Sequence, residues 1–113
     1  MAFATTYTTI EPSRAEIDRS AGPMLLEFGS HGCGHCRFVE PAIERALATH
    51  PTVQHVKIED ASGRPLGRSF GVRIWPTLVF LRDGIEVSRL LRPAGVAPIA
   101  RELERIDEPS AGP

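Results

Sequence analysis

The chain has 113 residues, 42% of them hydrophobic, a length and apolar share that suit one domain with its own core and are too short for two comfortable ones. Thirteen basic against 14 acidic residues give a net charge of −1, which leaves no electrostatic footprint for nucleic acid or an anionic membrane. The start, "MAFATTYTTI", has neither the basic nor the apolar region of a secretory signal, and no apolar run approaches the roughly 20 residues of a membrane span, so a cytoplasmic location is expected.

Ser13 with Glu16 three positions later forms a capping box, which predicts a first short helix ending near "SAGP". A turn at Gly22-Pro23 leads into "MLLEF", a mostly apolar run of strand length that suits a buried parallel sheet, and Gly29 to Gly32 break it. From Cys33 to Thr49, Phe38, Val39, Ala42, Ile43, Ala46 and Leu47 recur at helical spacing as one apolar stripe, with Pro41 inside the helix and expected to kink it. "TVQHVKIE" is a second strand, "GRPLGRSFG" a short helix or irregular connection, and "TLVFLR" a strand rich in β-formers. Asp83-Gly84 marks a hairpin into "IEVSRLL", and Pro98 sits in the first turn of a last helix whose Ile99, Leu103 and Ile106 face inward. This order describes a mixed sheet covered by helices. The domain is expected over residues 1–107, with 108–113 as a flexible tail.

The only two cysteines stand three apart in "CGHC", too few for a disulfide framework and too close for a bridge to stabilise much through chain entropy. Cys33 lies where the helix begins, so unpaired N–H groups and the positive end of the helix dipole favour its thiolate and make it the nucleophile. Cys36, one turn on and on nearly the same face, is placed to attack a mixed disulfide on Cys33. Gly34 permits the tight start of the helix, and His35 can hold or lend positive charge beside the thiolate. Half a zinc site has the same spacing, and the histidines that could complete it are His31 and His35 in the loop itself and His50 and His55, separated by four residues and distant in sequence. His50 and His55 read as ordinary surface or strand-edge residues. Arg37 stands where a c-type haem would need histidine, which excludes that cofactor. Two further residues stand out: Glu27, an acid expensive to bury within "LLEF", and Lys57, the only lysine, in the adjacent strand.

"EFGSHGCGHC", then Pro41, "VKIE", "GVRIWPTLVF" and "DG", resemble the thioredoxin family over roughly residues 10 to 106, the combination of C-x-x-C with "WPT" about forty residues later being specific. The resemblance implies an α/β thioredoxin fold, a central mixed sheet flanked by helices, with a cis Pro76 facing the cysteine pair. A proline opening an apolar strand is independently at home only at a strand start or edge, and cis bonds are nearly confined to X-Pro. The family's buried acid and neighbouring lysine map to Glu27 and Lys57. Glu27 is then the base that takes the Cys36 proton, directly or through a water, unless the two form only a solvated strand-edge ion pair. Trp75 is either core packing or a lid for a substrate chain. Two aromatic positions of the family hold Gly32 and Gly29 here, which thins the apolar platform. "LRPAG" puts Pro93 near a position usually held by glycine, with one apparent extra residue in the hairpin. The central Gly-His is similar to disulfide isomerases, where reducing thioredoxins have Gly-Pro.

The resemblance thus implies a thiol–disulfide oxidoreductase with Cys33, Cys36, Glu27, Lys57, His35 and Pro76 in its chemistry and Trp75, Gly32, Gly34 and Pro93 in its substrate surface. No bound cofactor or metal is expected. The expected partners are protein disulfides and a thioredoxin-reductase-like or glutathione electron donor, and the chain is expected to be monomeric. The other readings are a redox-dependent interaction or chaperone module, which the thinned platform favours, and metal binding through Cys33, Cys36 and His31 or His35.

Overall fold

The central strand β1, Pro23–Gly29, is buried from Met24 to Gly29, and the layers on its two faces follow from the alternation of its side chains. The computed structural model describes residues 3–107, so the expected tail at 108–113 lies outside the described residues. Before β1 comes α1, Arg14–Asp18, whose capping box is complete: Ser13 Oγ accepts from Glu16 N at 3.0 Å, and Ser13 N donates to Glu16 Oε1 at 2.9 Å. After β1 come α2 (Gly34–Leu47), β2 (Gln54–Glu59), α3 (Pro65–Ser69), β3 (Thr77–Arg82), β4 (Ile85–Leu91) and α4 (Val96–Asp107). No helix among the described residues is long and apolar enough to cross a membrane.

The four strands lie in the order β2-β1-β3-β4. The β1–β2 pair is parallel, which requires a crossover connection, here through α2, and the other pairs are antiparallel. Leu25 faces α2 and α4 in a cluster with Val39, Ile43, Leu47, Phe80, Ile99 and Leu103. Met24, Leu26 and Phe28 face the opposite side, with Ile17 of α1 and Leu66 of α3. By the same alternation Glu27 and Gly29 lie on the α2 face. An N-terminal strap runs along the outer edge of β2, where Tyr7 bridges Lys57 in parallel and Thr8 N donates to Lys57 O at 2.9 Å.

Two expectations change in α2. The helix ends at Leu47, and Phe38 is 73% exposed, outside the apolar stripe. The buried face is set by Cys36, Val39, Ile43, Ala46 and Leu47, and Phe38 falls about 100° round the helix from Val39. Its ring instead meets the His35 ring edge-on at 6.0 Å. Pro41 lies within the helix, where it has no N–H to offer the Arg37 carbonyl.

The hairpin carries an irregularity at the expected place: Phe80 pairs with Ser88 and Leu81 with Glu86, leaving Val87 as the extra residue of a bulge. Its turn uses Asp83 at φ +52° and Gly84 at φ +79°, and a Cβ on Gly84 would collide with the Asp18 carbonyl oxygen. Replacing Gly84 by Ala combines a left-handed backbone with a backbone clash, so it should cost about 2 to 4 kcal/mol of stability, read as a lower denaturant midpoint. An unchanged midpoint would show that the α1–hairpin contact is not tight.

Candidate active site

Cys33 is the N-cap of α2, with φ −87° and ψ 105°, and its Sγ accepts the backbone N–H of Cys36 at 3.1 Å. The helix start therefore directs one of its unpaired donors onto this sulfur. The two cysteines are joined in a disulfide, with Cα atoms 5.3 Å apart. Cys33 is half-buried, whereas Cys36 is 3% exposed, so only the first presents itself to an incoming molecule. Gly34 and His35, which follow Cys33, are exposed, as is Gly32, around which a Cβ would meet nothing within 4 Å.

Gly29 has a different place from Gly32. It is buried at the end of β1, and a Cβ there would lie 2.6 Å from Cys36 Sγ and 2.9 Å from the Tyr7 hydroxyl. The missing side chain is the space that Cys36 and Tyr7 occupy. The position is thus part of the floor under the disulfide and not part of an open platform.

Glu27 is fully buried and one of its oxygens, Oε1, is 2.8 Å from His55 Nε2; Oε2 is buried with no partner among the described residues. His55 is itself buried, and its Nδ1 accepts the backbone N–H of Ala4 at 2.8 Å. The expectation of an ordinary edge histidine is therefore corrected: β2 is an edge strand, but the strap covers it, with Phe3 against the His55 ring at 5.5 Å. Lys57 stands opposite Glu27 in the parallel register, yet its Nζ turns to Glu40 Oε2 at 3.4 Å and lies 4.8 Å from the centre of the Tyr7 ring. Both Glu27 and Lys57 are buried, so the reading as a solvated ion pair is also corrected. His50 pairs with Asp107 at 2.6 Å, remote from the cysteines in sequence and bonded to the end of α4.

Tyr7 carried no signal in the sequence, because an N-terminal segment rich in threonine has no periodicity to assign it to a sheet edge. Its hydroxyl donates to Ser30 O at 3.1 Å. Burial, and next the carboxylates of Glu27, Glu40 and Glu59, push its pKa up to about 12, with Arg37 opposing. A cleft of about 590 Å³ opens beside it, lined by residues that include Cys36, Arg37, Glu40, Lys57 and Glu59.

The Trp75–Pro76 peptide bond is cis and Pro76 is buried. Trp75 is half-buried, and its indole N–H donates to Asp60 Oδ2 at 2.9 Å, while Asp60 N donates to Gly29 O at 2.8 Å. One edge of the ring is thus tied to the strand end that supports Cys36. Pro93 is buried and offers no surface to a substrate. The left-handed position beside it is filled by Arg92, at φ +48°, whose N–H donates to Pro76 O at 3.0 Å and whose Nε donates to Trp75 O at 2.7 Å. Arg92, beside the buried Pro93, is exposed.

Tyr7 is the only tyrosine, so phenolate absorbance reads it alone. The folded protein should ionise near pH 12, and the unfolded chain near the ordinary value of 10.0. Because the raised pKa means that folding favours the neutral phenol, this contribution to stability is complete below pH 10 and lost as pH rises through 12. Folded and unfolded titrations that coincide would place Tyr7 in water.

A family model described as Thioredoxin matches residues 5–104. The chain is 31% identical over 104 residues to a thioredoxin of Mycobacterium tuberculosis (strain ATCC 25618 / H37Rv), an alignment that covers 91% of this chain and 90% of the relative. It is 29% identical over 103 residues to a thioredoxin of Mycolicibacterium smegmatis, covering 88% and 92%. Among solved structures it is similar to thioredoxin 2 from Pseudomonas aeruginosa PAO1 in its reduced form, with a TM-score of 0.83, 46% identity, and coverage of 93% of this chain and 97% of that one. The chain belongs to the thioredoxin family, and with Cys33 and Cys36 paired at the head of α2 it is a thiol–disulfide oxidoreductase.

Proposed function

We propose that the chain exchanges its Cys33–Cys36 dithiol with protein disulfides, with Cys33 as nucleophile and Cys36 as resolving thiol. The observation that carries this division is the asymmetry of the pair: Cys33 is accessible and accepts an N–H from the start of α2, and Cys36 is buried against Gly29. The Cys33 thiolate attacks a substrate disulfide, forming a mixed disulfide and releasing one substrate thiolate. Glu27 takes the proton of Cys36, directly or through a water, and the resulting thiolate attacks Cys33 Sγ. The mixed disulfide breaks, the second substrate sulfur leaves with the electron pair, and the enzyme is left oxidised.

A dithiol donor must then restore the pair, and a thioredoxin-reductase-like protein or glutathione supplies those electrons. Lys57 acts indirectly, holding Glu40 at the mouth of the cleft. Trp75, Arg92, Gly32 and Gly34 form the surface that meets the substrate chain, with the exposed Arg92 in place of the buried Pro93. We expect the protein to act as a monomer.

Alkylation near neutral pH should label Cys33 of the reduced protein first and leave Cys36 protected. The Cys36→Ser variant should capture protein disulfides as mixed disulfides on Cys33, because nothing remains to resolve them. Preferential labelling of Cys36, or a variant that captures nothing while the wild type reduces insulin, would overturn the assignment.

His35 is exposed in the first turn of α2, with its ring against Phe38, and a donor there stabilises the Cys33 thiolate and so the reduced form. The reduction potential should lie between the values of thioredoxin, about −270 mV, and disulfide isomerase, about −180 mV, and His35→Pro should lower it by tens of millivolts. Equilibration with glutathione buffers measures both. A wild-type value at or below about −270 mV would reject this tuning.

A further inference from the structure

The Glu27–His55 pair is not explained by the family's acid alone, and its hydrogen bonds dictate where a proton can sit. A backbone N–H can only donate, so His55 Nδ1, which takes the N–H of Ala4, must be bare. The neutral ring then carries its hydrogen on Nε2, where it faces Glu27 Oε1 at 2.8 Å. That oxygen is occupied as an acceptor. The proton that Glu27 takes up and gives back is left to Oε2, the buried oxygen without a partner among the described residues.

Resting on the exchange chemistry proposed above, we infer that His55 is the positioning residue that makes Glu27 a one-oxygen base: it holds Oε1 and leaves Oε2 for Cys36, and the strap at Ala4 sets the tautomer that does so. Glu27 and Gly29 share the α2 face one pleat apart, about 7 Å along the strand, and Gly29 is the residue packed under Cys36 Sγ. In the resolving step the Cys36 S–H bond breaks, its proton passes to Oε2 directly or through a water, and the thiolate forms the S–S bond to Cys33. The substrate sulfur leaves with the electron pair, and Oε2 returns its proton to that thiolate through solvent.

The groups that share this environment are Lys57 and Glu59 from β2, Cys36, Arg37 and Glu40 from α2, and Tyr7 from the strap, while β3 presents the apolar Leu78 opposite Glu27. Lys57 is engaged with Glu40 and the Tyr7 ring. Among the described residues His55 is therefore the one side chain hydrogen-bonded to Glu27. Without that donor the buried carboxylate loses a charge-assisted hydrogen bond and the contact that fixes which of its oxygens is engaged.

The experiment uses the reduced full chain with Ellman's reagent, whose first thiolate release reports mixed-disulfide formation on Cys33 and whose second reports resolution by Cys36. In His55→Leu, formation should keep its wild-type rate, and resolution should slow by about tenfold or more near neutral pH, the worth of a hydrogen bond to a charged group. His55→Gln, which can still donate to Glu27, should restore most of the neutral-pH rate. Nitrogen-15 shifts of His55 in the wild type should show hydrogen on Nε2 and a bare Nδ1. An Nδ1–H tautomer, or a His55→Leu protein that resolves the mixed disulfide at the wild-type rate, overturns the inference. The tautomer measurement decides the matter even if the leucine variant does not fold. A wild-type chain that forms the mixed disulfide and never resolves it would instead defeat the exchange mechanism itself.

Discussion

A fully buried carboxylate in the middle of the central strand is the constraint around which this site is arranged. Glu27 is fully buried between apolar neighbours, and an isolated charge there would be prohibitive. The adjacent strand answers with His55 and the strap answers for His55, through the N–H of Ala4 and the ring of Phe3. An edge strand that would otherwise face solvent is thereby closed over. The segment before α1 is thus structural support for the chemistry, although it forms no regular element of its own.

The same arrangement separates charges that simple adjacency would have paired. Register alone sets Lys57 across from Glu27, but the ammonium turns outward to Glu40 and the Tyr7 ring, where it remains partly reachable from the cleft. The outcome is two pairs, one buried and one at the mouth, instead of one strong buried bridge. A Glu27–Lys57 bridge would have tied the two charges together, whereas the histidine donor engages one oxygen and leaves the other without a partner among the described residues.

Gly29 connects this polar layer to the sulfur. It admits Cys36 Sγ and the Tyr7 hydroxyl to one position on the strand, and through its carbonyl it receives Asp60, which anchors Trp75. Strand end, buried cysteine and aromatic edge are thus linked. Cys33 is half-buried, Gly34 and His35 are exposed, and so is Arg92, which is hydrogen-bonded to the Trp75 and Pro76 carbonyls.

The elements were legible in the sequence because each has a local cause. Ser13 and Glu16 cap α1, Asp83-Gly84 turns the hairpin, and apolar positions at the spacing of Val39, Ile43 and Ala46 define the buried face of α2. The cysteine pair and Glu27 were also legible, the first from spacing and the second from the cost of an acid in an apolar run. Phe38 was misassigned because a stripe read from composition is wider than the face that packs. Pro93, read as part of the substrate surface, is buried, and the exposed neighbour is Arg92 at φ +48°, because which residue of a loop faces out depends on backbone geometry that local sequence does not fix. The sequence by itself determined the order of elements, the redox pair and the buried acid, since these depend on periodicity, capping and residue chemistry within a few positions. Only the tertiary structure decided that His55, Tyr7 and Ala4 belong to the site and that Lys57 serves Glu40. Those relations join residues up to 51 positions apart, and they depend on which oxygen, nitrogen or ring each side chain meets once the strap has crossed the sheet edge.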